Sequence, residues 1–391
     1  MQNDAPLAKT ALANFADTIY RCADCSYCVD AVWEERELNH VCPTLSHHSP
    51  ALSYSGRGYM SIARALYEGE EFPLEDVAER VYTCTSCGNC ARVCPIGLSP
   101  RDVNLALRET LAAQGAAPAA AQSYAAQLAE PSNKNLEARL AKLAPHEPEP
   151  TLDVANTLFL PGCETPDCAP GEVAACFSII KDITKNPTVI EAAVGEPAAC
   201  CGDKLETLGL PGQASATGTR LEAQTAVFPR LERIIHLNDK CAGRYADDSR
   251  HTSFTRWLVS SLDERQVRFA SIRPPERMVC VSTCEEKSEL VKLFALLNIK
   301  PLNTDFAANF AMCCGAGGGL PVIAAESARR MANAKLTNLN PILDEDTVVV
   351  VPNANCLAHL RTSIDNTSGA KYTLYGLGEY LDEHFKFSGA G

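Results

Sequence analysis

Cysteine sets this sequence apart, and its spacing narrows the chemistry. Cys22, Cys25 and Cys28 follow one another at two-residue gaps, with Cys42-Pro43 further on. Cys84, Cys87, Cys90 and Cys94-Pro95 repeat the pattern in a more compact form. Three thiolates at such intervals can hold three irons of one cubane from a single loop, and the fourth corner must come from elsewhere. In two-cluster ferredoxins the cysteine before proline serves the other cluster. By that rule Cys22, Cys25, Cys28 and Cys94 hold one [4Fe-4S] cluster, and Cys84, Cys87, Cys90 and Cys42 hold the other. Structural zinc sites also use Cys-x-x-Cys pairs, but two pairs of ligands leave the triplets and the Cys-Pro steps unexplained. The 19 cysteines do not read as a disulfide framework. The chain is large, MQNDAPLAKT has no basic segment leading into an apolar one, and the gaps are too short for relaxed bridges.

A second set of cysteines is duplicated. Cys163, Cys200-Cys201-Gly202 and Cys241 recur in order as Cys284, Cys313-Cys314-Gly315 and Cys356. Adjacent side chains point apart, so such a turn presents two thiolates together only if its backbone folds tightly, a freedom the glycine supplies. With these motifs the chain resembles the iron-sulfur subunits that join two ferredoxin-type clusters to a duplicated cysteine-rich "CCG" domain. That group includes the heterodisulfide reductase D subunit and the iron-sulfur subunits of glycolate oxidase and anaerobic glycerol-3-phosphate dehydrogenase. Met312 to Gly318, Ala328 to Lys335 and Pro352 to Leu360 are similar to the C-terminal repeat of the glycolate oxidase type.

In the heterodisulfide reductase pattern the active repeat ends in Cys-x-x-Cys, and its five cysteines support a non-cubane cluster that cleaves a disulfide. Here Asn238 and Asn353 stand where the first cysteine of that pair would be, leaving four cysteines per repeat. Four thiolates suit an ordinary cubane. The resemblance therefore implies Cys163, Cys200, Cys201 and Cys241 as one metal site and Cys284, Cys313, Cys314 and Cys356 as another, giving one or two further iron-sulfur clusters. A repeat that is empty or holds zinc, its thiols packed as small hydrophobes, is the alternative. Cys168, Cys176 and Cys280 are spare, with Cys168 near enough to Cys163 to substitute for it. Gly315 to Gly319 follows a cysteine pair and not a strand, which argues against a dinucleotide loop. His47, His48 and His359 read as polar packing beside a cluster.

The elements that must position these residues follow from the surrounding pattern. Helical stretches are expected at Gly58 to Gly69 and Pro73 to Tyr82, between the two cysteine groups. Ser99-Pro100-Arg101-Asp102 reads as a helix start, with Ser as N-cap, Pro at the first position and an acid in the first turn. After Thr151, short apolar runs end just before cysteines: Leu158 to Leu160, Ile234 to Leu237, Val279 to Val281 and Val348 to Val351. Ligands gather outside the carboxyl ends of strands in open α/β sheets. The fold expected is a multidomain α+β and α/β chain. It comprises a mostly helical ferredoxin-type two-cluster domain over 1–115, a connector over 116–150 and CCG repeats over 151–270 and 271–391 related by a pseudo-twofold axis. The insert carrying Trp33 and Glu34 to Glu37 reads as a solvated or partner-facing loop.

The 391 residues carry 46% hydrophobic and 21% charged side chains, as in an ordinary globular protein. A net charge of −13 argues against a phosphate-driven nucleic-acid binder. No apolar run is long enough to span a bilayer. A cytoplasmic protein is expected, held at most peripherally on the inner face of a membrane through a partner. No flavin or nucleotide fingerprint is present, so the expected role is electron relay: from a flavoprotein dehydrogenase partner, oxidising a 2-hydroxy acid such as glycolate or lactate, to a quinone, a cytochrome or another redox acceptor. A catalytic subunit reducing a disulfide or small acceptor at a CCG cluster is the rival reading, and a metal-poor scaffold is a third.

Overall fold

The computed structural model describes residues 11–30, 40–129, 152–273, 277–284, 287–308, 311–344, 346–365 and 373–389. The insert at Trp33 to Glu37 and most of the expected connector, from 130 to 150, lie outside the described residues. Contacts group the chain into two units: 1–126 with 204–213 and 309–338, and 127–203 with 214–308 and 339–391. This grouping is not contiguous, unlike the domains expected from the sequence. Segment 204–213, which follows the first Cys-Cys-Gly turn, and segment 309–338, which contains the second, belong to the first unit and pack near its second cysteine loop. Tyr82 Oη donates to the carbonyl of Leu208 at 3.0 Å, and a Cβ on Gly318 would collide with the carbonyl of Cys84.

The first unit is built from helices, with no strand among its described residues. Helix Gly56–Tyr67 is capped by Ser55, whose side chain accepts from Gly58 N–H at 3.3 Å. It buries Tyr59, Met60, Ala63 and Leu66, the near-helical spacing of one apolar face. Helix Leu74–Val81 follows. Helix Pro100–Ala113 starts as its sequence requires: Ser99 is the N-cap, accepts from Asp102 N–H at 3.3 Å, and precedes a proline at the first position. Its inward face contains Val103, Leu107 and Leu111 and also Arg108, fully buried.

The second unit mixes helices with parallel sheet. Strands β1 (Thr157–Leu160), β2 (Pro187–Val189), β3 (Arg233–His236) and β4 (His251–Ser253) form one parallel sheet in the order β2-β1-β3-β4. Strands β6 (Arg277–Cys280), β7 (Thr347–Val351) and β8 (Leu374–Gly376) form a second parallel sheet in the order β6-β7-β8. An antiparallel ribbon joins β5 (Val267–Ser271) to β9 (Phe385–Gly389). Phe159, Phe177, Ile235, Leu258, Val350 and Leu381 belong to one apolar core drawn from both sheets and their helices. Strands buried on both faces read as continuous apolar runs, which is why Leu-Phe-Leu and Val-Val-Val-Val are legible as strands. Each of β1, β3, β6 and β7 ends three to five residues before a cysteine of the duplicated set.

Candidate metal centres

The two N-terminal cysteine loops share one backbone device. The residues flanking the central cysteine take left-handed conformations in both: Asp24 (φ 51°) and Ser26 (φ 66°) around Cys25, Ser86 (φ 55°) and Gly88 (φ 77°) around Cys87. Non-glycine residues adopt this region only where the surroundings enforce it. The result is a tightly curled loop around each central cysteine.

In the first site Cys22, Cys25, Cys28 and Cys94 all line one cavity of about 150 Å³, with Arg57, Met60, Ile96 and Leu98 completing its wall. Cys94, from the second cysteine group, is thus brought to the first triplet. Leu98 N–H donates to Cys94 Sγ at 3.3 Å. Among the described residues no three Cys, His, Asp or Glu side chains converge as ligands of one ion. A cavity bordered by four thiols has room for a group of several atoms.

The second site gathers Cys84, Cys87, Cys90 and Cys42. Ser86 N–H donates to Cys84 Sγ at 3.3 Å, and Cys42 Sγ lies 3.7 Å from the carbonyl of Tyr54. Burial, then the neighbouring Cys84 and Cys87, pushes the Cys42 thiol up to about 12. Burial likewise drives Cys90 well above its ordinary value, reinforced by Cys87, Cys84, Cys42 and Cys28. Such thiols stay protonated at neutral pH until a cation displaces the proton, which is what iron does on binding. Gly56 stands between the two loops, its Cβ position 2.9 Å from Cys90 Cβ and 3.3 Å from Cys28 Cβ. Cys87 also meets a thiol from the duplicated set: contact with Cys313, ahead of burial, raises it.

In the duplicated set, Cys201 Sγ and Cys241 Sγ are 3.1 Å apart. Contact with Cys163 lowers Cys200, but contact with Cys201 and burial outweigh it and leave that thiol at about 12. Cys163, Cys200, Cys201 and Cys241 are therefore brought together. Tyr245 approaches the same group; burial first, then Cys201, raises its hydroxyl, which has no hydrogen-bond partner among the described residues. Of the other four predicted residues, Cys313 and Cys314 belong to the first unit, and Cys284 and Cys356 follow β6 and β7 in the second.

Both Cys-Cys-Gly turns have one geometry. Gly202 (φ 93°) and Gly315 (φ 90°) each donate N–H to the Sγ of the first cysteine, Cys200 and Cys313, at 3.4 Å. A Cβ on Gly202 would meet the carbonyl of Ala214 at 2.5 Å, and one on Gly315 that of Ala328 at 2.7 Å. The residues outside these sites have structural partners. Cys176 and Cys280 lie fully buried in the apolar core, and Cys168 is exposed. His48 Nδ1 lies 2.7 Å from Ser327 Oγ, and the carbonyl of His47 accepts from Arg330 Nε at 2.8 Å. His359 lies on helix Ala354–Asp365. Asn353 precedes that helix, and its Oδ1 accepts from Cys356 N–H at 2.9 Å.

Comparison with known families finds a 4Fe-4S dicluster domain at residues 18–98 and a cysteine-rich domain at 280–361. The chain joins a dicluster domain to a cysteine-rich domain. It is related to the glycolate oxidase iron-sulfur subunit of Escherichia coli, 24% identical over 92% of this chain and 95% of the relative. It is also related to the B subunit of the fumarate reductase (CoM/CoB) of Methanothermobacter marburgensis, 20% identical over 92% of this chain and 71% of that protein. The D subunit of the dihydromethanophenazine:CoB–CoM heterodisulfide reductase of Methanosarcina barkeri matches at 28% over 40% of this chain and 38% of its own length. All three relatives are named as subunits of oxidoreductases, one of them as an iron-sulfur subunit. No described helix is long and apolar enough to cross a membrane.

The arginines behind the dicluster loops were not legible as site residues. Arg64 Nη2 donates to the carbonyl of Cys22 at 2.8 Å, and Arg108 Nη2 to that of Cys84 at 2.6 Å. The sole hint for Arg108 is a charged residue on the apolar face that holds Leu107 and Leu111.

Proposed function

We propose that this chain is an electron relay in which Cys22, Cys25, Cys28 and Cys94 hold one [4Fe-4S] cluster and Cys42, Cys84, Cys87 and Cys90 a second. The observation that carries this reading is the single cavity lined by four thiols from two separate cysteine groups, the arrangement required for a cubane with an exchanged fourth ligand. Cys163, Cys200, Cys201 and Cys241 hold a third cluster, and Cys284, Cys313, Cys314 and Cys356 a fourth, in two repeats related by pseudo-twofold symmetry. The contact between Cys87 and Cys313 supports a path from the dicluster domain toward the cysteine-rich domain. Bound clusters supply one-electron redox chemistry. The chain's own residues bind them, exclude water from them and set the local charge.

The partner is a flavoprotein dehydrogenase acting on a 2-hydroxy acid, a reading supported by the glycolate oxidase iron-sulfur subunit among the relatives. The outlet is a quinone, a cytochrome or another redox protein. Asn238 and Asn353, in place of the extra cysteines of the heterodisulfide reductase pattern, favour relay over disulfide cleavage. Anaerobic purification followed by iron and acid-labile sulfide analysis tests this: about sixteen irons per chain are expected for four cubanes. A value near two would sink the relay. A new paramagnetic species on adding thiol to the oxidised protein would favour disulfide chemistry instead.

A further inference from the structure

Two arginines hold the two dicluster loops, and they differ in one respect. Arg64 donates through Nη2 to the carbonyls of Ile19 (3.0 Å) and Cys22 (2.8 Å), while its Nη1 lies 3.3 Å from the Asp24 carboxylate. Its side chain is 30% exposed. Arg108 treats the second loop in the same way. Its Nη2 donates to the carbonyls of Cys84 (2.6 Å) and Val81 (3.1 Å), Nε to Val81 (3.2 Å), and Nη1 to Thr207 (3.0 Å) and Gly318 (2.8 Å). The guanidinium carbon lies 5.0 Å from the centre of the Tyr82 ring, and the residue is 0% exposed. Every one of these partners is a carbonyl or a ring. Among the described residues no carboxylate pairs with Arg108.

A buried guanidinium keeps its charge, since arginine does not deprotonate in proteins. An unpaired charge removed from water is strongly unfavourable unless something nearby compensates it. Carbonyl dipoles and the Tyr82 face supply part of that compensation. The remaining candidate for a counter-charge is the second cysteine group itself, where Cys84 feels Arg108 as the main influence opposing its burial. Arg101 also acts on Cys84, but its side chain is 36% exposed and lies 3.5 Å from Asp102, so solvent and its own partner screen it. Arg57 lines the first cavity, is partly exposed and donates to Ser26 Oγ at 2.7 Å.

We infer that Arg108 is the built-in counter-cation of the cluster held by Cys42, Cys84, Cys87 and Cys90, and that its charge raises the reduction potential of that cluster. The inference rests on the ligand set proposed above. When one electron arrives from a reduced flavin, or from dithionite in a titration, the site becomes more negative by one charge. No bond forms or breaks and no proton is taken up. A fixed cation in a low-dielectric setting attracts the reduced form more than the oxidised one, so Arg108 favours reduction.

The test is a dye-mediated redox titration of the anaerobic, cluster-loaded full chain, followed by electron paramagnetic resonance, with the signal assigned through Cys42→Ser. Arg108→Gln keeps donors and removes charge. It is expected to lower the one-electron equilibrium constant at least about tenfold, a downward shift of about 59 mV. Arg108→Lys retains the charge and should restore most of the potential, whereas Arg64→Gln and Arg101→Gln should move this signal less. A purely structural role predicts lost stability in both Arg108 variants with no difference between them in potential. Arg108→Gln with full iron and an unmoved potential overturns the inference. If that variant does not fold, the unaltered chain decides. Its potential at this cluster should be flat from about pH 6 to 9, and a fall near 59 mV per pH unit would mean that a proton, not Arg108, offsets the added charge. Absence of the cluster signals altogether defeats the relay reading as well, while full signals with an unmoved potential defeat only the role of Arg108.

Discussion

The turn at Cys200-Cys201-Gly202 and the turn at Cys313-Cys314-Gly315 share a left-handed glycine, an N–H directed at the first thiol and a carbonyl pressed against the missing Cβ. Their neighbours differ. The first turn meets Cys163 and Cys241, with Tyr245 close by. The second turn contacts Cys87 of the dicluster domain, and the glycines after it pack on Cys84 and Thr85. The same local backbone device thus stands beside Cys163 and Cys241 in one turn and beside Cys87 in the other.

The most direct way to break this comparison is to block the glycines. Gly202→Ala and Gly315→Ala each force a left-handed alanine against a carbonyl, an effect of about 3 kcal/mol. Each should also remove about four of the sixteen irons expected, read by iron analysis and thermal unfolding. Only Gly315→Ala should disturb the spectrum of the cluster assigned to Cys84, Cys87 and Cys90. Equal disturbance by both variants would erase the distinction between the turns.

A pH effect confined to the second unit comes next. Glu172 is buried, and its carboxylate accepts from Gly378 N–H (2.9 Å) and Glu379 N–H (3.0 Å). Burial outweighs these bonds and raises its pKa from 4.5 to about 7. The folded state then holds a proton that the unfolded state has lost. This contribution is fully present below about pH 4.5 and is lost as pH rises through about 7, by an amount on the order of 3 kcal/mol. Urea unfolding of Glu172→Gln should show that slope flattened relative to the unaltered chain.

Smaller still is the contrast between two asparagines that each stand three residues before a cysteine, Asn238 before Cys241 and Asn353 before Cys356. Asn353 caps its helix, so Asn353→Ala should cost about 1 kcal/mol. Asn238 makes no side-chain cap bond; its Nδ2 is 3.4 Å from Thr165 Oγ1, and its Oδ1 has no partner among the described residues. Asn238→Ala should be closer to neutral, measured by the same denaturation. The smallest effect expected is spectral: Cys313→Ser should shift the signal of the second dicluster site, and Cys201→Ser should leave it unchanged.

Much of the site was legible because its chemistry is local. Two-residue cysteine spacing fixes which thiols can share a loop, and Cys-Pro steps point to an exchanged ligand, an expectation in keeping with Cys94 at the first cavity. Ser99-Pro100 announced its helix, and unbroken apolar runs announced buried parallel strands. Arg108 was hidden for a physical reason. A lone arginine among leucines does not reveal which carbonyls it will meet, and its partners Val81, Cys84, Thr207 and Gly318 come from separate parts of the sequence. The units were hidden likewise, since segments 204–213 and 309–338 join the dicluster domain through contacts with distant residues.

The sequence by itself determined how many thiols there are, their grouping along the chain, and the glycines that let paired cysteines turn. Only the tertiary structure decided which charges and which other thiols surround each group. Short-range spacing is a property of the backbone, whereas electrostatic environment depends on burial and on residues brought together from far along the chain.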